Sequence, residues 1–235
     1  MLDKVILAII ALLVILTIYL GLHNNFQNIN ASIVLDANWL NAKLIPESPF
    51  PLQAKAGIVI NRESGQILYQ RNADMQLPIA SLTKLMTALV AQYQEDLFYK
   101  MLVWSDNKAA EDLVLDISKL NQKAQELGML NTHFIDASGL DPGSISTPND
   151  LVILAEEISK RPDLIKILQT PEYNQIKNTN QLLGLPGVVA GKTGLTDEAG
   201  QCLLLITDKY ISIVLNAEDR FEQSEKLIKI IDDKK

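Results

Sequence analysis

The chain opens with an apolar run of 18 residues, Val5 to Leu22, interrupted only mildly by Thr17, Tyr19 and Gly21. A helix rises about 1.5 Å per residue, so such a run just spans a hydrocarbon core of roughly 30 Å. It is apolar around its whole circumference, which a core helix of a small domain seldom is. No small-x-small cleavage pattern follows it directly, so an uncleaved signal anchor over residues 1–22 is expected in preference to a cleaved signal peptide. Lys4 precedes the run, and no Lys or Arg occurs from His23 to Ala42. That asymmetry places the N-terminus in the cytoplasm and the remainder outside the cell membrane. Residues 23–52 are rich in Asn and then carry Pro46, Pro49 and Pro51, a pattern that predicts a stalk.

From about Gln53 the pattern changes to that of a folded domain, residues 53–235. Ala56–Asn61 and Gln66–Gln70 are β-rich runs around Glu63-Ser64-Gly65 and predict a hairpin. Ser81 to about Gln94 has helical spacing, with Leu82, Leu85, Met86, Leu89 and Val90 apolar. Further helices are predicted over Leu97–Trp104, Lys108–Ser118, Leu120–Leu127 (ending at Gly128) and Asn149–Lys160 (ending before Pro162). Val188–Leu195, Gln201–Thr207 and Tyr210–Asn216 read as three successive strands, and Phe221–Ile231 as a closing helix. Strands therefore open and close the domain and helices fill its middle. This segregation predicts an α+β domain whose sheet combines both chain ends.

Composition narrows the chemistry. The 235 residues carry a net charge of −7, and no basic stripe is visible, which argues against a nucleic-acid partner. The single cysteine, Cys202, excludes an internal disulfide. The two histidines, His23 and His133, lie far apart, and no Cys pair or HxxE-type cluster accompanies them. Hydrolysis by this chain would then proceed without a metal and without a catalytic histidine.

Three short motifs occur in order: Ser81-Leu82-Thr83-Lys84, Ser105-Asp106-Asn107 and Lys192-Thr193-Gly194. Residues three apart share a helix face, so Lys84 can reach the Ser81 hydroxyl. A serine becomes a competent nucleophile when a neighbour takes its proton. A lysine does so only when neutral, a state favoured by burial and by nearby positive charge, which Lys192 could supply. A helix N-terminus at Ser81 would add N–H groups suited to a developing oxyanion. Taken singly, each motif has an ordinary reading: Ser81 and Ser105 as helix N-caps, Lys84 as a solvated helix residue, Thr193 as a strand residue. The ordered set is what carries weight.

With these motifs the sequence resembles the penicillin-binding D-alanyl-D-alanine carboxypeptidases, relatives of the serine β-lactamases. The segments "GIVINRESGQILYQRNADMQLPIASLTKLMTALV", "KMLVWSDNKAAEDL", "AQELGMLNTHFIDASGLD", "STPNDLVILAEEI", "GKTGLTDEAGQCLL" and "AEDRFEQSEKL" extend the likeness over about Ala56 to Ile231. The resemblance implies a β-lactamase/transpeptidase-like fold with an antiparallel sheet, and a serine peptidase that needs no cofactor. It makes Ser81 the nucleophile and Lys84 its general base. Ser105 and Asn107 would serve proton relay and substrate positioning. Lys192, Thr193 and Gly194 would line the strand edge that binds the peptide and its carboxylate. Ser81 and Leu195 would supply the N–H groups of the oxyanion hole, and Arg220 would support carboxylate recognition. The implied partners are peptidoglycan peptides ending in D-Ala-D-Ala, with β-lactams as covalent inhibitors.

One departure stands out. Ser81 and Ser105 are 24 positions apart, an interval that in the family is much longer and contains further helices, so a reduced helical subdomain is expected. The shortened interval keeps two alternatives open: a D,D-endopeptidase with the same motifs, and a catalytically inactive, membrane-tethered peptidoglycan-binding protein. A class A β-lactamase is disfavoured, because no ExxxN-type motif lies between Asn107 and Lys192. Cys202 is expected to be a buried core thiol, His133 structural, and Asp197 with Glu198 a solvated turn.

Overall fold

A computed structural model describes residues 52–232. The expected anchor and nearly all of the expected stalk lie outside the described residues. Among those described, no helix is long and apolar enough to cross a membrane. Leu52, assigned to the stalk from sequence, is buried beside Tyr210, Leu227 and Ile231, so packing of the domain already includes it.

The domain begins with the expected hairpin, β1 (Ala54–Asn61) and β2 (Ile67–Arg71). Its turn is set by the Asn61 side chain, whose Oδ1 accepts from the N–H groups of Glu63 and Ser64. A short strand β3 (Leu77–Pro78), a 3-10 turn (Ala80–Leu82) and helix α1 (Thr83–Val90) follow. Helix α2 (Glu95–Tyr99) runs into a π-helical turn (Lys100–Trp104), and α3 (Asn107–Leu113) and α4 (Ser118–Leu127) come next. After β4 (Ile145–Ser146), which pairs with β3, come α5 (Pro148–Ser159) and α6 (Pro162–Leu168). A small hairpin, β5 (Glu172–Tyr173) and β6 (Ile176–Lys177), precedes the long strands β7 (Val188–Thr196), β8 (Gly200–Thr207) and β9 (Tyr210–Ala217). Helix α7 (Arg220–Asp232) closes the domain.

The five-stranded sheet has the order β2-β1-β9-β8-β7 and every pairing is antiparallel, which is the α+β arrangement expected from the two chain ends. Alternating positions divide it between two layers. Ala56, Ile58, Ile60, Leu204, Ile206, Ile213 and Leu215 join the helical lobe, packing in one cluster with Leu85, Phe98, Leu154 and Ile158. Val59 and Val214 pack with Leu227 and Ile231 of α7, and Leu203 and Leu205 with Leu182. A fully buried side chain of this size contributes about 1.5–3 kcal/mol, so β7 is held by a neighbour, β8, that is buried on both faces.

The helix ends depart from the sequence reading in instructive ways. The helix expected over Lys108–Ser118 stops at Leu113. Val114 is extended (φ −137°) and Leu115 is 91 % exposed. The cause is Asp116, whose Oδ1 accepts from the N–H and hydroxyl of Ser118 and opens α4 there. The helix expected from Ser81 to Gln94 is regular only over Thr83–Val90, with Ala91 extended. Gly128 ends α4 with φ +80°, as the sequence reading has it.

Candidate active site

Strand β7 is an edge strand, and its outer side meets the 3-10 turn that carries Ser81. The approach is close enough to require glycine: a Cβ at Gly194 would lie 2.8 Å from the Ile79 carbonyl oxygen and 3.2 Å from the Ser81 nitrogen. On another side of the turn a second glycine, Gly139 (φ +79°), would place a Cβ 1.9 Å from the Ala80 carbonyl oxygen. Ala80 itself is left-handed (φ +46°), an uncommon state for a residue with a side chain. Ser81 therefore sits on a strained turn clamped between β7 and the loop at Gly139.

Lys84, one turn on, is fully buried. Its Nζ lies 2.7 Å from Ser81 Oγ, 2.7 Å from Asn107 Oδ1 and 2.6 Å from the Ser138 carbonyl oxygen. An ammonium donates to all three. A neutral amine has two N–H groups and one lone pair. Asn107 Oδ1 and the Ser138 carbonyl can only accept, so they take the two N–H groups. The lone pair is thereby left for the Ser81 hydroxyl, which is the geometry of a general base.

Burial pushes the Lys84 pKa down from 10.5 to about 7, against the opposing pull of Asp136, Asp106 and Glu111. Of the two causes expected from the sequence, burial and a nearby positive charge, burial leads. The charge effect is felt by Lys192, which is driven well below the ordinary lysine range by burial first, then by Lys84 and Arg220.

Ser105 ends the π-helical turn in the left-handed region (φ +66°), and its Oγ accepts from Lys192 Nζ at 2.8 Å. Asp106, not Ser105, caps α3, its side chain accepting from Ala109 N at 2.9 Å. This cap aims Asn107, the first residue of α3, at Lys84. Lys192 also donates to its neighbour's carbonyl, Thr193 O. The Thr193 hydroxyl donates to Thr179 Oγ1 at 2.7 Å. Arg220 donates to the Gly194 carbonyl at 2.7 Å, so it braces the backbone of β7. Leu195, next along that strand, is 61 % exposed.

The nine residues singled out in the sequence thus fall in one region, in two lysine-centred networks. Ser81, Lys84 and Asn107 form one. Ser105 and Lys192 form the other, with Thr193, Gly194, Leu195 and Arg220 along the strand beside it. Three contributors were not foreseen. Ser138 supplies a carbonyl. Asp136 shapes its loop by accepting from the N–H groups of Ser138 (2.8 Å), Gly139 and Asp141 (2.6 Å). Thr179 holds Thr193. The Asp-x-Ser-Gly spacing at 136–139 is a legible signal for such a turn; nothing local marks Thr179. Cys202 is buried and its thiol is pushed up to about 11, mainly by desolvation. Asp197 and Glu198 are exposed in the turn between β7 and β8. His133 pairs through its backbone with Ile145.

The family model of the D-alanyl-D-alanine carboxypeptidases matches residues 43–96 and 91–219. This chain belongs to that family. The two matched blocks meet at 91–96, inside the short Ser81–Ser105 interval. Among its relatives, a D-alanyl-D-alanine endopeptidase of Pseudomonas aeruginosa is 28 % identical, over 73 % of this chain and 74 % of that protein. The D-alanyl-D-alanine carboxypeptidase DacF of Bacillus subtilis is 28 % identical, over 77 % of this chain and 61 % of DacF. Among solved structures, penicillin-binding protein D2 of Listeria monocytogenes in its cefotaxime-bound form superposes with a TM-score of 0.72. It is 33 % identical, over 79 % of this chain and 99 % of that one.

Proposed function

We propose that this member of the carboxypeptidase family removes the terminal D-alanine of peptidoglycan stem peptides through an ester on Ser81. The observation that carries the reading is the arrangement around Lys84: a buried amine, shifted to about 7, whose two acceptor-only partners direct its lone pair to the Ser81 hydroxyl. In the reaction Ser81 Oγ attacks the carbonyl between the two D-alanines and its proton passes to Lys84 Nζ. The Ser81 backbone N–H, whose nitrogen lies beside Gly194 of β7, stabilises the oxyanion together with Leu195 N–H. Ser105 gives its hydroxyl proton to the departing D-alanine amine and takes one in return from Lys192. Water then attacks the ester and passes a proton through Ser105 back to Lys192, while Lys84 returns its proton to the departing Ser81 oxygen. Thr193 and Lys192 bind the substrate carboxylate. The Thr179–Thr193 hydroxyl pair suits this, since Thr193 can turn its proton to the carboxylate and accept from Thr179 instead.

β-Lactams are expected to acylate the same serine, a reading supported by the cefotaxime- and ampicillin-bound forms of the Listeria relative. The shortened interval before Ser105, together with the endopeptidase name of the Pseudomonas relative, favours one second reading: cleavage of crosslinked peptides in a more open cleft. The complete pair of lysine networks weighs against a binding-only protein. The apolar length of Val5–Leu22 supports attachment to the cell membrane with the domain on the outer side. Size and fractionation of the mature protein test that attachment. The catalytic reading is tested by incubating residues 24–235 with a D-Ala-D-Ala peptide and with a crosslinked dimer, beside Ser81→Ala. Free D-alanine from the parent alone supports the carboxypeptidase; monomer release without free D-alanine selects the endopeptidase; no product from either rejects both.

A further inference from the structure

Ser105 has to hold its hydroxyl against Lys192 from a left-handed backbone position, a conformation that disfavours any residue with a Cβ. The interval that leads to it is short, and the two blocks of the family match meet within it. Something else must fix the turn. The surroundings of Trp104, the residue just before Ser105, show what does. Trp104 Nε1 donates to the Tyr173 carbonyl at 3.0 Å, and the two rings lie 5.9 Å apart. Tyr99 stacks on the other partner of this trio, Tyr173, at 4.5 Å, and Tyr173 Oη donates to Asp96 at 3.2 Å. Six residues beyond Tyr173, Thr179 N donates to the Val103 carbonyl at 3.1 Å, while its hydroxyl accepts from Thr193 in β7.

The segment Tyr173–Thr179 therefore touches both halves of the second lysine network. Tyr173 at one end grips the π-helical turn through Trp104, and Thr179 at the other grips both that turn, through Val103, and β7, one residue from Lys192. It is itself anchored by Asn178, whose Nδ2 donates to the Leu168 and Thr170 carbonyls. We propose that Trp104 and the Tyr173–Thr179 segment form a bracket that sets the gap between Ser105 and Lys192, with Trp104, Tyr173 and Thr179 as positioning residues for the proton relay. This rests on the relay role given to Ser105 above. None of the three needs to touch the substrate. Trp104 and Tyr173 act on kcat through the placement of one hydroxyl, and a displacement of about 1 Å at such a contact is enough to cost up to roughly a hundredfold.

The test compares Trp104→Leu, Trp104→Phe and Tyr173→Ala with the parent, by kcat and KM on a D-Ala-D-Ala peptide and by amide hydrogen exchange at Ser105 to Ala109. Trp104→Leu and Tyr173→Ala are expected to lower kcat by about 10–100-fold with KM within about threefold. Trp104→Phe, which keeps the ring but not the N–H, should recover most of that loss. In the first two variants exchange at Ser105 and Asp106 should quicken while β9 stays protected. Unchanged kcat and unchanged exchange in folded Trp104→Leu and Tyr173→Ala overturn the bracket. If the parent itself turns over no peptide, the catalytic reading has failed. The bracket is then judged by exchange alone, where quickening confined to the Ser105 turn sustains it and its absence overturns it.

Discussion

Acylation of Ser81 is expected to rise with pH through neutrality. The perturbation is protonation of one buried amine. With Lys84 at about 7, roughly one-tenth of the protein holds a neutral lysine at pH 6, half at pH 7 and nine-tenths at pH 8. If only the neutral amine takes the Ser81 proton, the second-order rate constant for a fluorescent penicillin should climb about tenfold between pH 6 and pH 8 and then level off. The sign follows from the cause: desolvation disfavours the ammonium, so the active form appears at lower pH than for an exposed lysine near 10.5. The assay is stopped-flow or quench acylation at fixed ionic strength over pH 5.5–9, with Lys84→Arg as control, since a guanidinium stays charged throughout. That control should acylate about 100–10,000-fold more slowly, with no rise through neutrality. A flat profile, or an inflection near 10, would refute the assignment of Lys84 as the proton acceptor.

Other expected outcomes follow from individual contacts. Gly194→Ala should fold, because its conflict is local, yet lose about 10–100-fold in acylation, since the new Cβ meets backbone at Ile79 and Ser81; acylation rates beside a thermal melt check this. Ser105→Gly should relieve the left-handed strain and raise stability by up to about 1 kcal/mol while lowering turnover, a split read by denaturant unfolding and kcat. Asp106→Ala should cost about 1 kcal/mol through loss of the α3 cap and lower activity as well, because Asn107 loses its aim at Lys84. Cys202 should resist a thiol reagent in the folded protein and react once unfolded, as a buried thiol held near 11 requires.

The chain pattern made much of the fold legible. The runs at Ala54–Asn61, Gly200–Thr207 and Tyr210–Ala217 are dense in β-branched and large aliphatic residues because these strands are buried on both faces. Helix α5 was readable as Asn149–Lys160 ending before Pro162, and the structure starts it one residue earlier, at Pro148, behind a Thr147 cap. Helix α6 was missed because its seven residues offer barely two turns of periodicity. The β5–β6 hairpin was missed because its turn, Asn174-Gln175, adopts two positive φ angles without a glycine to announce them. In the site, Ser81 and Lys84 were readable since their contact is local. The pairing of Lys192 with Ser105 across 87 positions, and of Thr193 with Thr179, depends on which elements the sheet brings together. How deeply Lys84 is buried likewise depends on the packed lobe, although burial and a nearby positive charge were both expected as causes of its shift.

The central claim is that Ser81 is an activated nucleophile, and intact mass after incubation with benzylpenicillin tests it most directly. The parent should gain the mass of one opened penicillin, on a peptide containing Ser81, while Ser81→Ala gains none. A folded parent that stays unmodified at saturating penicillin, or an adduct that persists in Ser81→Ala, would contradict it.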